Sequence, residues 1–177
     1  PADLFSNEWD SWASVDPTVI KEDGIFKMWF MGIVAEAPDY KTIRYSIGYS
    51  TSVDGSNWEL HSNNPILEIY KGPYEEGKVI NSAFFVLNNG KYYELWYFGG
   101  DVPDIYAISS DGIKWQKQKG TTLPKGSAGS WDSWVVSSPT ILLNGSKYEM
   151  WYSGAKLDDA FNTYFGIGYA TAERDTS

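Results

Sequence analysis

Short runs of β-branched and aromatic residues, many alternating with polar ones, are punctuated along the whole chain by Asp-Gly and Asn-Gly pairs. Period-two runs between such dipeptides predict strands joined by hairpins, and no 3.6-residue helical period competes with them. The first predicted strand is Asp16-Pro17-Thr18-Val19-Ile20, and a turn at Glu22-Asp23-Gly24 leads from it into a second, Phe26 to Met31. A third runs through Ile47-Gly48-Tyr49-Ser50-Thr51, and Asp54-Gly55 turns the chain into a fourth that opens at Trp58.

This order occurs three times. Trp9-Asp10-Ser11-Trp12 falls on Trp131-Asp132-Ser133-Trp134 at an offset of 122 residues. Without a gap, the same offset lays Pro17-Thr18 on Pro139-Thr140, Met28-Trp29 on Met150-Trp151 and Gly32 on Gly154. A middle copy places Leu95-Trp96-Tyr97 and Gly99 on Met28-Trp29-Phe30 and Gly32. Four antiparallel strands per copy, marked by aromatics and glycines, form the pattern of a propeller blade. The expected fold is therefore all-β, a β-propeller of four-stranded antiparallel blades with about three blades present. A single domain is expected over 1–177, with blades near 9–66, 76–122 and 131–177. Trp29, Trp96 and Trp151 share one strand position and are expected to be buried alike between blades. The third copy reaches residue 177 where its fourth strand should begin, so the expected ring is incomplete, and Ala2 to Ser6 is a candidate for the missing outer strand. Open blade edges invite pairing, which implies self-association or a longer parent chain.

Charge narrows the partners. With 14 Lys and Arg against 23 Asp and Glu, the net charge is −9, which argues against nucleic acid and anionic membrane. The absence of Cys removes disulfides and thiolate chemistry, and the single His61 removes a multi-histidine metal cluster. No apolar run approaches the roughly 18 residues of a membrane span, and Pro1-Ala2-Asp3 lacks the features of a signal peptide. The expected location is extracellular or at the cell surface, with the signal sequence absent from this chain. No cofactor is expected. Asp158-Asp159 and Glu75-Glu76 offer only a weak oxygen-donor set for Ca²⁺.

Asp16-Pro17 at the head of an inner strand, Tyr148-Glu149-Met150-Trp151-Tyr152-Ser153-Gly154, Ile167-Gly168-Tyr169-Ala170-Thr171 and Ser52-Val53-Asp54-Gly55-Ser56-Asn57-Trp58 together carry a resemblance. They are similar to the blades of the five-bladed glycosidase propellers, the group that includes glycoside hydrolase families 43, 32 and 130. The Ser-x-Asp-Gly-x-x-Trp turn also resembles a shortened sialidase Asp-box. The resemblance implies that Asp16 is a catalytic base or nucleophile. Its partners in register are Ala83 and Ser138, whereas glycoside hydrolysis needs two carboxyl groups about 5 to 9.5 Å apart. The 177-residue chain is thus not expected to be a self-sufficient enzyme, and Asp10, Asp132 and Glu76 are the candidate second acids.

Blade topology puts these residues on one face with the loops of variable length, where binding usually sits. The aromatic and acidic residues there, Trp9, Trp12, Tyr74, Asp104, Trp131 and Trp134, suit a sugar, which stacks its C–H face on a ring and donates hydroxyl protons to acceptors. A repeated Asp before a strand also suits a loop brace that accepts backbone N–H groups. The functional expectation is a carbohydrate-active propeller resembling glycoside hydrolases, acting on or binding a plant or microbial poly- or oligosaccharide. The alternatives are a lectin-like binding module without catalysis and a propeller interaction scaffold.

Overall fold

The computed structural model describes residues 9–36, 42–73, 83–99, 102–118, 123–158 and 162–174. Among them there is no helix, and twelve strands form three sheets. The first sheet has the order β1 (Ala13–Glu22), β2 (Ile25–Glu36), β3 (Thr42–Ser52) and β4 (Glu59–Leu60), and β5 (Leu67–Pro73) also pairs with β3. The second contains β6 (Ala83–Asn88), β7 (Tyr93–Gly99), β8 (Val102–Ser109) and β9 (Gln116–Gln118). In the third, β10 (Val135–Asn144), β11 (Lys147–Leu157) and β12 (Thr163–Glu173) lie in sequence order. Ala2 to Ser6 lies outside the described residues.

The predicted outer strand of the first sheet is split, and β5 continues that sheet past residue 66. Between β4 and β5 the Asn64 amide takes the place of a peptide unit. Its Oδ1 accepts the Tyr49 N–H at 2.9 Å, and its Nδ2 donates to the Tyr49 carbonyl at 2.9 Å. The side chain keeps the β3 backbone satisfied where the outer strand bows away.

Packing groups the chain into two compact units, one of Pro1–Lys78, Gly90–Tyr93 and Ile108–Gln116, the other of Val79–Asn89, Glu94–Ala107 and Lys117–Ser177. In the first unit Trp29 on β2 is fully buried. It packs beside Tyr49 across the strand pair, centroids 5.3 Å apart, and beside Tyr93 at the start of β7, 5.4 Å away. Its indole N–H donates to the Gly112 carbonyl at 2.7 Å. That carbonyl is held in a turn where the Ser109 hydroxyl accepts the Gly112 N–H at 2.8 Å and Asp111 accepts the N–H groups of Ile113 and Lys114. Ser52 and Asp54 tie the turn at Gly55 in the same way.

The second unit likewise flanks its strand tryptophan with two tyrosines, Trp96 lying 5.4 Å from Tyr106 and 5.8 Å from Tyr148. Below it the buried Glu94 carboxylate accepts hydroxyl protons from Tyr106 at 2.6 Å and Tyr148 at 2.8 Å. Trp151 on β11 keeps its cross-strand neighbour Tyr169 at 5.1 Å, but it is 37% exposed. The expectation that all three tryptophans are buried alike is corrected at this position. A propeller tryptophan is covered by the next sheet, and the described residues contain none beyond β12.

Candidate functional site

The head of β1 is the place to look for the predicted carboxylate. The ladder with β2 pairs Val15 with Met31 and Thr18 with Trp29, so Asp16 and Pro17 together oppose Phe30 alone, in a bulge. The β10 ladder slips identically between Ser137 and Thr140. Asp16 and Ser138 both adopt positive φ, 52° and 49°, a conformation that costs a residue with a Cβ about 1–2 kcal/mol. A bulge changes the direction in which a side chain leaves the pleat, and Asp16 sits in one. Because Ser138 shares the conformation, it belongs to the blade; the carboxyl is what distinguishes Asp16.

Asp16 is exposed, and among the described residues its carboxylate has no hydrogen-bond or ion-pair partner. Although it is solvent-accessible, partial desolvation by surrounding protein raises its pKa above the ordinary aspartate value. It is a proton-accepting group not committed to the fold.

Asp10 and Asp132 are the opposite case. Asp10 is completely buried and accepts a hydrogen bond from the Ser14 hydroxyl at 3.3 Å. The buried Asp132 accepts from Ser130 Oγ and from the Tyr152 hydroxyl, both at 2.9 Å. The donors are exchanged between the two places: Ser14 and Phe30 in the first sheet correspond to Val136 and Tyr152 in the third, so each buried acid keeps a hydroxyl from a different strand. Both acids brace the chain before an inner strand.

The tryptophans that precede these acids both pack on strand glycines. The Trp9 ring lies on Gly32 and Gly48, where an added Cβ would come within 2.2 and 2.3 Å of ring atoms, and it stacks beside Phe30 at 5.6 Å. Trp131 lies on Gly154 and Gly166 and beside Tyr152 at 5.8 Å. Trp9 is buried and presents no ring face to a ligand, while Trp131 is 38% exposed. Trp12 is 60% exposed, and its N–H donates to the Ile33 carbonyl at 3.1 Å. Trp134 makes the corresponding bond to Ala155 at 2.9 Å and is half-buried.

In the first unit Trp12 precedes β1 and Asp16 lies near its start, the one an exposed aromatic and the other a carboxylate without a hydrogen-bond or ion-pair partner among the described residues. Tyr74, Glu75, Glu76 and Asp159 lie outside the described residues, as does the Asp104 side chain. Asp158 is described and accepts hydrogen bonds from Asn162 and Tyr164. One feature that sequence reasoning missed is the paired glycines under each loop tryptophan. Gly32 with Gly48, and Gly154 with Gly166, sit on adjacent strands, and such a pair is the signal for a ring lying flat on a sheet.

No family model matches the chain. It is 28% identical over 169 residues to the uncharacterized Mycobacterium tuberculosis protein Rv1502, covering 91% of this chain and 52% of that one. Among solved structures it is similar to the protein of the BT0996 RGII complex, with a TM-score of 0.71 at 18% identity over 99% of this chain and 51% of the other. It is also similar to Zg3597, a family 117 glycoside hydrolase from the marine bacterium Zobellia galactanivorans, with a TM-score of 0.67 at 20% identity over 92% and 53%. The fold is that of the glycosidase-type β-propellers. The chain spans about half the length of the curated relatives it matches.

Proposed function

We propose that the protein is a carbohydrate-active propeller of the glycoside hydrolase type in which Asp16 is the base or nucleophile and Trp12 a sugar-stacking surface. The observation that carries this reading is the state of Asp16: exposed, without a hydrogen-bond or ion-pair partner among the described residues, and set in a bulge near the start of β1. Buried, hydroxyl-bonded acids such as Asp10 and Asp132 are poorly placed to exchange protons with a substrate, so the leaving-group acid comes from another segment, Glu76 being the remaining candidate. Ionised Asp16 would deprotonate water or attack the anomeric carbon while that acid protonates the departing oxygen. Fold neighbours that are glycoside hydrolases support the substrate class.

The test is hydrolysis of a panel of arabinan, xylan, fructan and mannan oligosaccharides, read as new reducing ends or released sugar. On any of them that the wild type cleaves, Asp16→Asn should lose several orders of magnitude in rate while retaining affinity. Equal rates for the two proteins would remove Asp16 from the chemistry. The lectin-like reading is favoured by one observation, the 60% exposure of Trp12. It predicts binding that Trp12→Ala abolishes and no cleavage by wild type.

A further inference from the structure

The face of the third sheet that carries Trp131 keeps an aromatic surface open where its counterpart in the first sheet is closed. Trp131 lies on Gly154 of β11 and Gly166 of β12 as Trp9 lies on Gly32 and Gly48, yet Trp131 is 38% exposed and Trp9 only 7%. This is not the face on which Trp151 and Tyr169 stand. Tyr148 and Tyr152 share the side of β11 that carries Trp131, and Tyr148 packs against Trp96 of the second sheet. The open surface therefore lies on the side turned toward the preceding strands.

Beyond Gly154 and Gly166, the next pair on that side is Lys156 and Tyr164. Side chains two residues apart on a strand point the same way about 7 Å further on, so Tyr164 continues the surface begun by Trp131. It is 50% exposed but tethered. Its hydroxyl donates to the Asp158 carboxylate at 3.1 Å, and the Lys156 ammonium sits 5.1 Å from its ring centroid. Asp158 is fixed in turn, accepting the Asn162 backbone N–H at 2.8 Å and the Asn162 amide at 3.0 Å. Trp131 is held by the glycines beneath it and by Tyr152, which lies 5.8 Å away with its ring plane tilted by 25°. At the matching place the first sheet has Val34 and Arg44, so it offers no second ring there.

Rings fixed before binding lose little entropy when a ligand stacks on them. The groups beside them suit hydroxyls, since the Lys156 ammonium only donates, the Asp158 carboxylate only accepts, and their charges balance. An acidic glycan finds no net attraction in such a pair and meets a chain of net charge −9. We propose that Trp131 and Tyr164 form a second carbohydrate-binding surface, for a neutral oligosaccharide that stacks its sugar C–H faces on the two rings while Lys156 donates to a hydroxyl oxygen. The inference rests on the carbohydrate-active reading but not on Asp16 or Trp12, which belong to the other compact unit.

Calorimetric titration with neutral arabino-, xylo- and manno-oligosaccharides tests it, on the full chain carrying Trp12→Ala and Asp16→Asn so that the first site contributes neither stacking nor cleavage. This double variant should still bind a neutral sugar that wild type binds, one molecule per chain. Adding Tyr164→Ala, at an exposed position, should weaken that binding at least tenfold with the circular dichroism spectrum unchanged, and Trp131→Ala should act in the same direction. Binding by the double variant without any cleavage by wild type would uphold this surface while removing Asp16 from catalysis. Binding by wild type that vanishes in the double variant would overturn the inference and leave the Asp16 reading standing. Affinity untouched by Tyr164→Ala would overturn it as well, since the sugar would then lie elsewhere. Trigalacturonate bound more tightly than every neutral sugar would refute the neutral class, and a wild type that binds none of these sugars would remove both readings together.

Discussion

Replacing each of the three strand tryptophans by alanine, one at a time, should give graded losses of stability, because the same side chain at the same register position has different surroundings. Trp29 is fully buried, donates its indole proton to Gly112 and touches two tyrosines. Removing a large aromatic from such a site costs about 3–5 kcal/mol, and the orphaned Gly112 carbonyl adds up to about 1–3 kcal/mol where water does not reach it. Trp151 starts with 37% of its surface in water. A fully buried tryptophan hides about 250 Å², so at about 25 cal/mol/Å² that exposure forfeits about 2 kcal/mol of burial. With no carbonyl acceptor among the described residues and little cavity to leave behind, Trp151→Ala should cost only about 1–2 kcal/mol. Trp96, buried and sandwiched by Tyr106 and Tyr148, should fall near Trp29 without the hydrogen-bond increment. Urea unfolding followed by circular dichroism, at concentrations low enough to keep the chain monomeric, measures the series. Three equal losses, or a loss at Trp151 matching that at Trp29, would refute the argument that coverage by a neighbouring sheet is what separates them.

Other outcomes follow from the same geometry. Gly32→Ala should destabilise by about 1–3 kcal/mol, although alanine is ordinarily the better strand residue, because the new methyl collides with the rigid Trp9 ring; a neutral result by thermal denaturation would show that the ring can move aside. Asp16→Asn should raise stability at pH 7. The folded state favours the neutral carboxyl, so its contribution is present below about pH 4 and lost as pH rises, and asparagine also tolerates positive φ. Melting curves at pH 3 and pH 7 should show the advantage at pH 7 and its disappearance at pH 3, and an advantage independent of pH would point to the backbone alone. Tyr148→Phe should cost about 1–3 kcal/mol by removing a donor from the buried Glu94 carboxylate. Burial and then Glu94 push the Tyr148 hydroxyl up to about 12, so its contribution is present below about pH 10 and lost on rising through 12. Denaturant titrations from pH 9 to 12 should be steeper for wild type than for this variant, and parallel curves would deny the hydroxyl its role.

How far the sequence discloses this molecule depends on what each feature depends on. Strand and turn positions follow from local periodicity and from Asp-Gly and Asn-Gly pairs, and Asp23 and Gly24 both adopt the positive φ that a tight hairpin turn requires. Trp29, Trp96 and Trp151 are visible as equivalents because they recur in register, but register says nothing about which sheet follows, so the exposure of Trp151 was not legible. The Trp-Asp pairs were ambiguous for a chemical reason: a ring with a carboxylate describes both a sugar platform and a loop brace. The deciding residues are the glycines on adjacent strands under each ring and a hydroxyl that reaches the acid, Ser14 in one case and Tyr152 in the other, these hydroxyls lying 4 and 20 positions from the acid. The split of the outer strand in the first sheet was hidden too, since it rests on one asparagine amide copying a peptide group.

The most direct measurement of the central claim is the titration of the Asp16 carboxyl itself, followed by NMR with ¹³C-labelled aspartate and assigned by loss of the signal in Asp16→Asn. The account predicts a pKa above the ordinary aspartate value in the free protein, and a further change in both pKa and chemical shift when a cleavable or bound oligosaccharide is added. Asp10 and Asp132, held inside the fold, should not respond to the sugar. An Asp16 that titrates as an ordinary surface aspartate and is unmoved by any sugar the protein binds would contradict the account.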